Sequence, residues 1–262
     1  MTIKTTGKLY GVSLGPGDPG LITRRAWELL HHDAVWTYPI RNPKSESYAL
    51  NIAVQAGLSL PEQHTPLIFP MTHDAEKLAK YWLRAAQAVL EFLHMGKDVV
   101  FLVEGDASTY STFQHLARTI AANDEDVVIE TIAGVPSFHA AAARLEMPLT
   151  DVDDTMAIVP AGYGIPMLER LLGDFDTLVL MKVKPLLNDI IDFLEHKDLL
   201  QHSSFIEKAG SQQERIVRDV ASLRNEKVNY LSLLLVKNPH RKRGEIIRGC
   251  RQKTSEELET ND

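Results

Sequence analysis

Three glycines near the amino terminus have the spacing of a ligand-binding turn. Gly15, Gly17 and Gly20 follow the apolar run 9–14 and satisfy the three-glycine pattern of dinucleotide-binding proteins. In that pattern, free backbone amides at the start of a helix receive a pyrophosphate. Because glycine has no side chain, such a turn also lets other ligands approach the backbone closely.

The residues that follow these glycines argue against a phosphate. Asp18 is a good helix N-cap, and Pro19 suits the first helical position. A capping carboxylate satisfies the free amides and repels a phosphate. The dinucleotide pattern also needs an acidic residue about 20 positions further on, whereas the second apolar run ends in Pro39-Ile-Arg41. Three interpretations stay open: a nucleotide phosphate, which these residues disfavour, a plain tight turn between strand and helix, and a ligand without a phosphate.

Two further loops share the character of the first. Glu104-Gly-Asp-Ala-Ser108 follows the apolar run 98–103, and Ala133-Gly-Val-Pro-Ser137 follows the run 127–132. Each loop contains glycine and precedes a helical pattern. Ligands of open α/β sheets bind beyond the carboxyl ends of the strands. We therefore expect all three loops to line one site.

Strand-like and helix-like patterns alternate along the chain, which predicts an α/β fold. The run 98–103 is continuously apolar, as in a strand that is buried on both faces. The longest helical pattern is 74–95, with apolar residues every three to four positions. Segment 58–70 contains three prolines and is predicted as loop or short edge strand. Segment 212–223 is predicted as an amphipathic helix.

A polar break at 123–126 divides the chain into two predicted α/β domains. The first domain, 1–124, carries the Gly-Pro-Gly-Asp loop. The second domain is 125–251, and 252–262 forms a polar, acidic tail.

Composition and charge restrict the possible functions. Of the 262 residues, 44% are hydrophobic and 24% are charged, which is ordinary for a globular protein. A net charge of −7 gives no general support for nucleic-acid binding. The single cysteine, Cys250, excludes an intramolecular disulfide and a CxxC metal site, and we predict no metal. The sequence has no apolar run of about 18 residues that would cross a membrane. Because Met1 to Lys8 is short and polar, we expect a cytoplasmic enzyme.

Three motifs together resemble the tetrapyrrole methylases, S-adenosylmethionine-dependent enzymes that methylate corrin-ring precursors. The family's opening Gly-x-Gly-Pro-Gly-Asp turn is matched by Ser13-Leu-Gly-Pro-Gly-Asp18, with Ser at the first position. Its Gly-Asp-x-x-x-Tyr-Ser-Thr motif is matched by Gly105-Asp106 and Tyr110-Ser-Thr112. Its Gly-Ile/Val-x-Ser motif before an Ala-rich helix is matched by Gly134-Val-Pro-Ser137. The resemblance runs from about residue 9 to residue 236, in the family's order.

Within that family the chain is most similar to the precorrin-2 or cobalt-factor II C20-methyltransferases. The similarity lies in Glu104-Gly-Asp, in Tyr110-Ser-Thr-Phe113 and in segment 137–145, while Ala107 stands where members often have Pro. It implies methylation of C20 in cobalamin biosynthesis. One alternative is a tetrapyrrole methylase that acts on another ring carbon or on uroporphyrinogen III. An alternative from a different class is an NAD(P)-dependent oxidoreductase.

The resemblance implies two α/β domains with an active-site cleft between them, usually in a homodimer. S-adenosylmethionine would bind in that cleft beside a tetrapyrrole substrate. The positions that match the family's donor-binding residues are Pro16, Glu104, Gly105, Asp106, Thr109, Pro136, Ser137, Met181 and Gly210. For Met181, core packing is the competing interpretation, and for Gly210 it is a turn at the start of a helix.

The chemistry implied by this resemblance needs few protein groups. Since a sulfonium methyl carbon is already electrophilic, the enzyme must align the C20 carbon with the S–CH3 bond. A proton must then leave C20, and Glu104 and Asp106 are the candidate catalytic residues for this step or for orienting the donor. The tetrapyrrole carries many carboxylates, so Arg41 and Lys44, after the second strand, are the predicted substrate contacts.

Overall fold

A computed structural model describes residues 6–244, which fold into two five-stranded sheets covered by helices. The predicted tail 252–262 and Cys250 lie outside the described residues. The strands within the described range are β1 (Leu9–Ser13), β2 (Val35–Ile40), β3 (His64–Ile68), β4 (Val99–Val103), β5 (Ile129–Ile132), β6 (Met156–Pro160), β7 (Thr177–Met181), β8 (Ser203–Glu207), β9 (Arg215–Val217) and β10 (Ser232–Lys237). The α-helices there are α1 (Arg24–Leu30), α2 (Tyr48–Gln55), α3 (Ala75–His94), α4 (Phe113–Asn123), α5 (Ser137–Leu145), α6 (Ile165–Asp174) and α7 (Leu187–His196).

The first sheet is parallel throughout and has the order β3-β2-β4-β1-β5. Every residue of β4 is buried, which confirms the strand predicted from its continuous apolar run. Val99, Phe101 and Val103 pack against α3 and α4 on one face. Val100 and Leu102 pack against α1 and α2 on the other. Strand β3, which contains a proline, lies at the edge as predicted.

The second sheet is mixed and has the order β6-β7-β10-β8-β9. Strands β6 and β7 are parallel, and the remaining neighbours are antiparallel. Helix α5 packs on one face through Phe138, Ala141 and Leu145. Helices α6 and α7 cover the other face. The predicted α/β fold with two sheet-and-helix units is therefore present.

The chain passes from the first sheet to the second after β5. Strand β5 pairs in parallel with β1, Leu9 opposite Ile129 and Val12 opposite Ile132, so it belongs to the first sheet. The next element, α5, packs on the second sheet. The polar break at 123–126 thus comes one strand before the change of sheet, and the division at 124/125 stays a prediction about domains.

The predicted helix over 212–223 is wrong. Arg215–Val217 forms β9, which pairs antiparallel with β8, and Val220–Leu223 is a 3-10 turn. The side chains of Ile216 and Val217 pack into clusters on opposite faces of the sheet, which is the period of a strand. The segment forms a strand despite its helical spacing, because pairing with β8 satisfies the backbone groups of both strands.

The long helix predicted over 74–95 is present as α3, whereas the helix start predicted at Pro19 is only a short turn. A 3-10 turn at Pro19–Leu21 precedes α1, which begins only at Arg24 with Thr23 as its N-cap. No helix within residues 6–244 is long and apolar enough to cross a membrane.

Candidate active site

The candidate site lies where strand ends of the two sheets meet. The loops after β1, β4 and β5 leave the first sheet at one edge, because these strands are parallel. In the second sheet, Met181 ends β7 opposite Leu233, and Glu207 ends β8 opposite Ser232. The ends of β7 and β8 therefore share one edge with the start of β10. Contacts between the two edges define a cleft between the sheets.

Glycines allow a close contact between these edges. A Cβ added at Gly17 would lie 3.0 Å from the backbone nitrogen of Ser211 and 3.1 Å from the carbonyl oxygen of Ala209. A Cβ added at Gly210 would lie 3.2 Å from the Cβ of Asp18. Gly210 has a φ of 78° and lies in the turn between β8 and β9. Its competing interpretation, a turn that starts a helix, is wrong because β9 follows instead.

The first two glycine loops are joined backbone to backbone. Gly15 and Gly105 form an antiparallel bridge, with N–O distances of 3.1 Å and 2.7 Å. Both residues have positive φ, 75° and 74°, which side chains rarely allow. No protein atom outside its immediate neighbours lies within 4 Å of the point where a Cβ of Gly105 would project. The backbone of Gly105 therefore faces open space that a ligand can enter.

The helix start after the first loop is closed to a phosphate. The Asp18 carboxylate accepts a hydrogen bond from the Gly20 amide at 2.8 Å, as the sequence predicts. The helical turn there lasts only three residues, and Thr23 caps the Ala26 amide of α1. The Asp18 carboxylate thus occupies the helix start where a pyrophosphate would bind, which argues against the dinucleotide alternative.

Asp106 ties the second loop to the third. One carboxylate oxygen accepts hydrogen bonds from the Ser108 amide, the Ser108 hydroxyl and the Thr109 hydroxyl. The other accepts from the Gly134 amide at 2.8 Å. Burial opposes ionisation of this side chain, but these hydrogen bonds outweigh it and lower the pKa of Asp106 below its usual value. With both oxygens occupied, Asp106 is suited to holding the loops in place.

Glu104 is the opposite kind of carboxylate. Its side chain is accessible to solvent, and it makes no hydrogen bond or ion pair with any residue in 6–244. Desolvation by the neighbouring protein nevertheless raises its pKa above the usual value. A free carboxylate with a raised pKa is the better equipped of the two to accept a proton.

Two contributors to the site were not predicted from the sequence. The hydroxyl of Ser13 donates to the Ile132 carbonyl at 2.5 Å and accepts from the Ala107 amide at 2.8 Å, so it links all three loops. The hydroxyl of Tyr48, in α2, donates to the Pro16 carbonyl at 3.2 Å.

Tyr48 also lies near Ser211 of the second sheet and near Glu104, the candidate proton acceptor. Burial raises its pKa, a hydrogen bond with Ser211 lowers it, and the charge of Glu104 raises it further. Tyr48 thus lies beside both strand edges. Of these two residues, only Ser13 could have been found from the sequence, because it stands at the first position of the glycine motif. Tyr48 belongs to no motif.

The remaining predicted residues lie around these loops. Pro136 precedes α5 and Ser137 is its first residue, while half-buried Met181 packs in the core beneath that helix. Arg41 and Lys44 lie in an exposed turn after β2, and neither forms an ion pair with a residue in the described range. The structure therefore leaves these two cations at the correct edge of the sheet without joining them to the donor loops.

Comparisons with known proteins agree with this arrangement. Residues 8–223 match the model of the family described as Tetrapyrrole (Corrin/Porphyrin) Methylases. A probable cobalt-precorrin-2 C(20)-methyltransferase of Methanocaldococcus jannaschii is 31% identical over 238 residues, which is 89% of this chain and 97% of that protein. A cobalt-precorrin-2 C(20)-methyltransferase of Salmonella typhimurium is 31% identical, over 88% of this chain and 96% of that protein.

Solved structures show the same fold at lower identity. A cobalt precorrin-4 methyltransferase superimposes with a TM-score of 0.66 at 22% identity, covering 88% of this chain and 94% of the other. A uroporphyrin-III C-methyl transferase of Thermus thermophilus, complexed with S-adenosylhomocysteine, has a TM-score of 0.59 at 24% identity, covering 88% and 97%. Since the family model spans most of the chain and its three motifs form one connected site, the protein belongs to the tetrapyrrole methylases.

Proposed function

We propose that the protein transfers a methyl group from S-adenosylmethionine to C20 of precorrin-2 or cobalt-factor II in cobalamin synthesis. The observation that carries the proposal is the cleft built from three joined glycine loops, in which the backbone of Gly105 faces open space. The relatives named as C20-methyltransferases support the choice of ring carbon. Assembly as a homodimer and a cytoplasmic location stay predictions.

The residues present fit the methyl donor. A position without a Cβ at Gly105 lets a ligand lie against the loop backbone. The donor supplies an electrophilic methyl carbon on a sulfonium. In this proposal it is held by residues from both strand edges, namely Pro16, Glu104, Gly105, Asp106, Thr109, Pro136, Ser137, Met181 and Gly210.

The two carboxylates take different roles. Asp106 fixes the second loop against the third and so orients the groups that contact the donor. A carboxylate oxygen of Glu104 accepts the proton that leaves C20 once the new carbon–carbon bond has formed. Arg41 and Lys44 remain proposed contacts for carboxylates at the outer rim of the substrate.

Binding of the reaction product S-adenosylhomocysteine tests the donor site, and titration calorimetry measures it. We expect micromolar affinity for this ligand and no heat with NADH. Gly105→Ala is expected to weaken binding about tenfold or more, because the added methyl enters the space that the ligand needs.

Gly57→Ala is the matched control. Gly57 has a φ of 86° and, like Gly105, no protein atom near its added Cβ, but it follows α2 at the opposite end of the first sheet. Both variants therefore pay the same kind of backbone strain. Absence of heat at high micromolar S-adenosylhomocysteine, or equal weakening in the two variants, would refute a donor site at Gly105.

A further inference from the structure

We propose that Lys182, held over the ring of Tyr110, binds a peripheral carboxylate of the tetrapyrrole and so positions the macrocycle in the cleft. This inference rests on the proposed function and adds a substrate contact to it.

Lys182 is placed at the cleft by the end of β7. It is the first residue after the strand, its amide donates to the Ser232 carbonyl at 3.2 Å, and its φ is 56°. The left-handed backbone turns the chain sharply at the strand end. The Nζ atom then lies 5.6 Å from the centroid of the Tyr110 ring, which belongs to the loop after β4. The ammonium therefore lies between the two sheets.

Tyr110 is anchored on both sides of the cleft. It lies in the loop after β4 and has a φ of 51°, a conformation that is uncommon for an aromatic residue. Its hydroxyl donates to the Ile158 carbonyl in β6 of the second sheet at 3.3 Å. Its side chain is nevertheless 51% exposed. Strained backbone of this kind persists where the surrounding structure holds it, most often beside ligands.

The charge of Lys182 has no acidic partner in the described structure. Lys197 and Lys237 form ion pairs with Glu169 and Asp154, whereas half-buried Lys182 forms none with residues 6–244. The ring of Tyr110 offers only a weak attraction to the ammonium. A half-buried cation that faces a cleft is available to an anionic ligand, and the tetrapyrrole carries several carboxylates.

The surface around Lys182 suits a flat ring. Tyr163 follows the end of β6 and Tyr230 precedes β10, so both lie at the same edge of the second sheet as Lys182. With Tyr110 they are the most exposed tyrosines of the described structure. Aromatic side chains with a polar end pack against macrocycles while their hydroxyls stay hydrated.

Titration with uroporphyrin III, a stable tetrapyrrole polycarboxylate, tests the contact. Quenching of the protein's tryptophan fluorescence measures the binding, in the presence of S-adenosylhomocysteine. We expect Lys182→Gln to weaken porphyrin binding about fivefold to tenfold, the size of one partly desolvated ion pair, and Lys182→Arg to stay within about twofold of wild type. Lys8→Gln is the control and should leave binding unchanged. It removes one exposed charge at the amino end of β1, the end of the first sheet that faces away from the cleft.

Turnover separates a substrate contact from a structural role. Lys182→Gln should raise KM for the tetrapyrrole while KM for S-adenosylmethionine and the melting temperature stay unchanged. Wild-type affinity for uroporphyrin III in Lys182→Gln, or equal losses in the Gln and Arg variants, would overturn the inference alone. Failure of the wild-type protein to bind S-adenosylhomocysteine would instead overturn the proposed function, and this inference with it.

Discussion

Replacing Gly134 by alanine is expected to abolish methyl transfer and to lower the free energy of unfolding by about 3 kcal/mol. The added Cβ would lie 2.3 Å from the Cβ of Ser13 and 2.9 Å from the Gly105 carbonyl oxygen. Ser13 is fixed by two hydrogen bonds and Gly105 by its bridge to Gly15, so neither neighbour can move away cheaply. The third loop would have to separate from the other two. Chemical denaturation and an activity assay measure the two effects.

Gly173→Ala provides the matched control. Gly173 lies near the end of α6, and apart from the neighbouring backbone of its own helix no protein atom stands within 4 Å of its added Cβ. Alanine in a helix is expected to be neutral or to stabilise by up to about 1 kcal/mol. A Gly134→Ala protein as stable and active as Gly173→Ala would contradict the close joining of the loops.

Replacing Glu104 by glutamine is expected to lower kcat about a hundredfold, the usual contribution of a positioned acid–base group. Affinity for S-adenosylhomocysteine should change much less than kcat, because glutamine keeps the size and one oxygen of the Glu104 side chain but cannot accept the proton of C20. The group accepts a proton only when ionised, and its pKa is raised. The wild-type kcat should therefore fall as the pH drops through this raised pKa, and the variant should lack that fall. A steady-state pH profile shows both effects.

Stability distinguishes this role from a structural one. Because desolvation raises the pKa of Glu104, its protonated form favours folding, and that contribution is lost as the pH rises above the raised pKa. Glu104→Gln should thus be at least as stable as wild type at neutral pH. Asp106→Asn should be less stable, since the amide nitrogen would face either the Gly134 or the Ser108 backbone amide, from which it cannot accept a hydrogen bond. An unchanged kcat in Glu104→Gln would remove Glu104 as the proton acceptor.

Local patterns made most of the fold predictable from the sequence. The buried run at β4 has the composition of a central parallel strand, and the prolines near β3 indicate an edge. The glycine loops were found because glycine spacing reflects a backbone requirement, namely positive φ at Gly15 and Gly105 and close packing at Gly17. Such requirements depend on a few neighbouring residues, so they are visible in the sequence.

Features that depend on distant partners were not predictable in this way. Strand β9 forms because β8 offers an edge, although its own sequence has helical spacing. The roles of Tyr48 and Lys182 arise from contacts with Pro16 and Tyr110, which are far away from them along the chain. The different properties of Glu104 and Asp106, two residues apart, come from their surroundings, because Ser108 and Thr109, together with Gly134 of the third loop, donate hydrogen bonds to Asp106 and none to Glu104.

The position of the transferred methyl group tests the central claim most directly. The protein is incubated with S-adenosylmethionine carrying carbon-13 in its methyl group, separately with precorrin-2 and with cobalt-factor II. Carbon-13 NMR then locates the label in the isolated product. The proposal predicts a single labelled methyl group on C20 with at least one of these substrates. Label on another ring carbon, or no transfer to either tetrapyrrole while S-adenosylhomocysteine still binds, would contradict it.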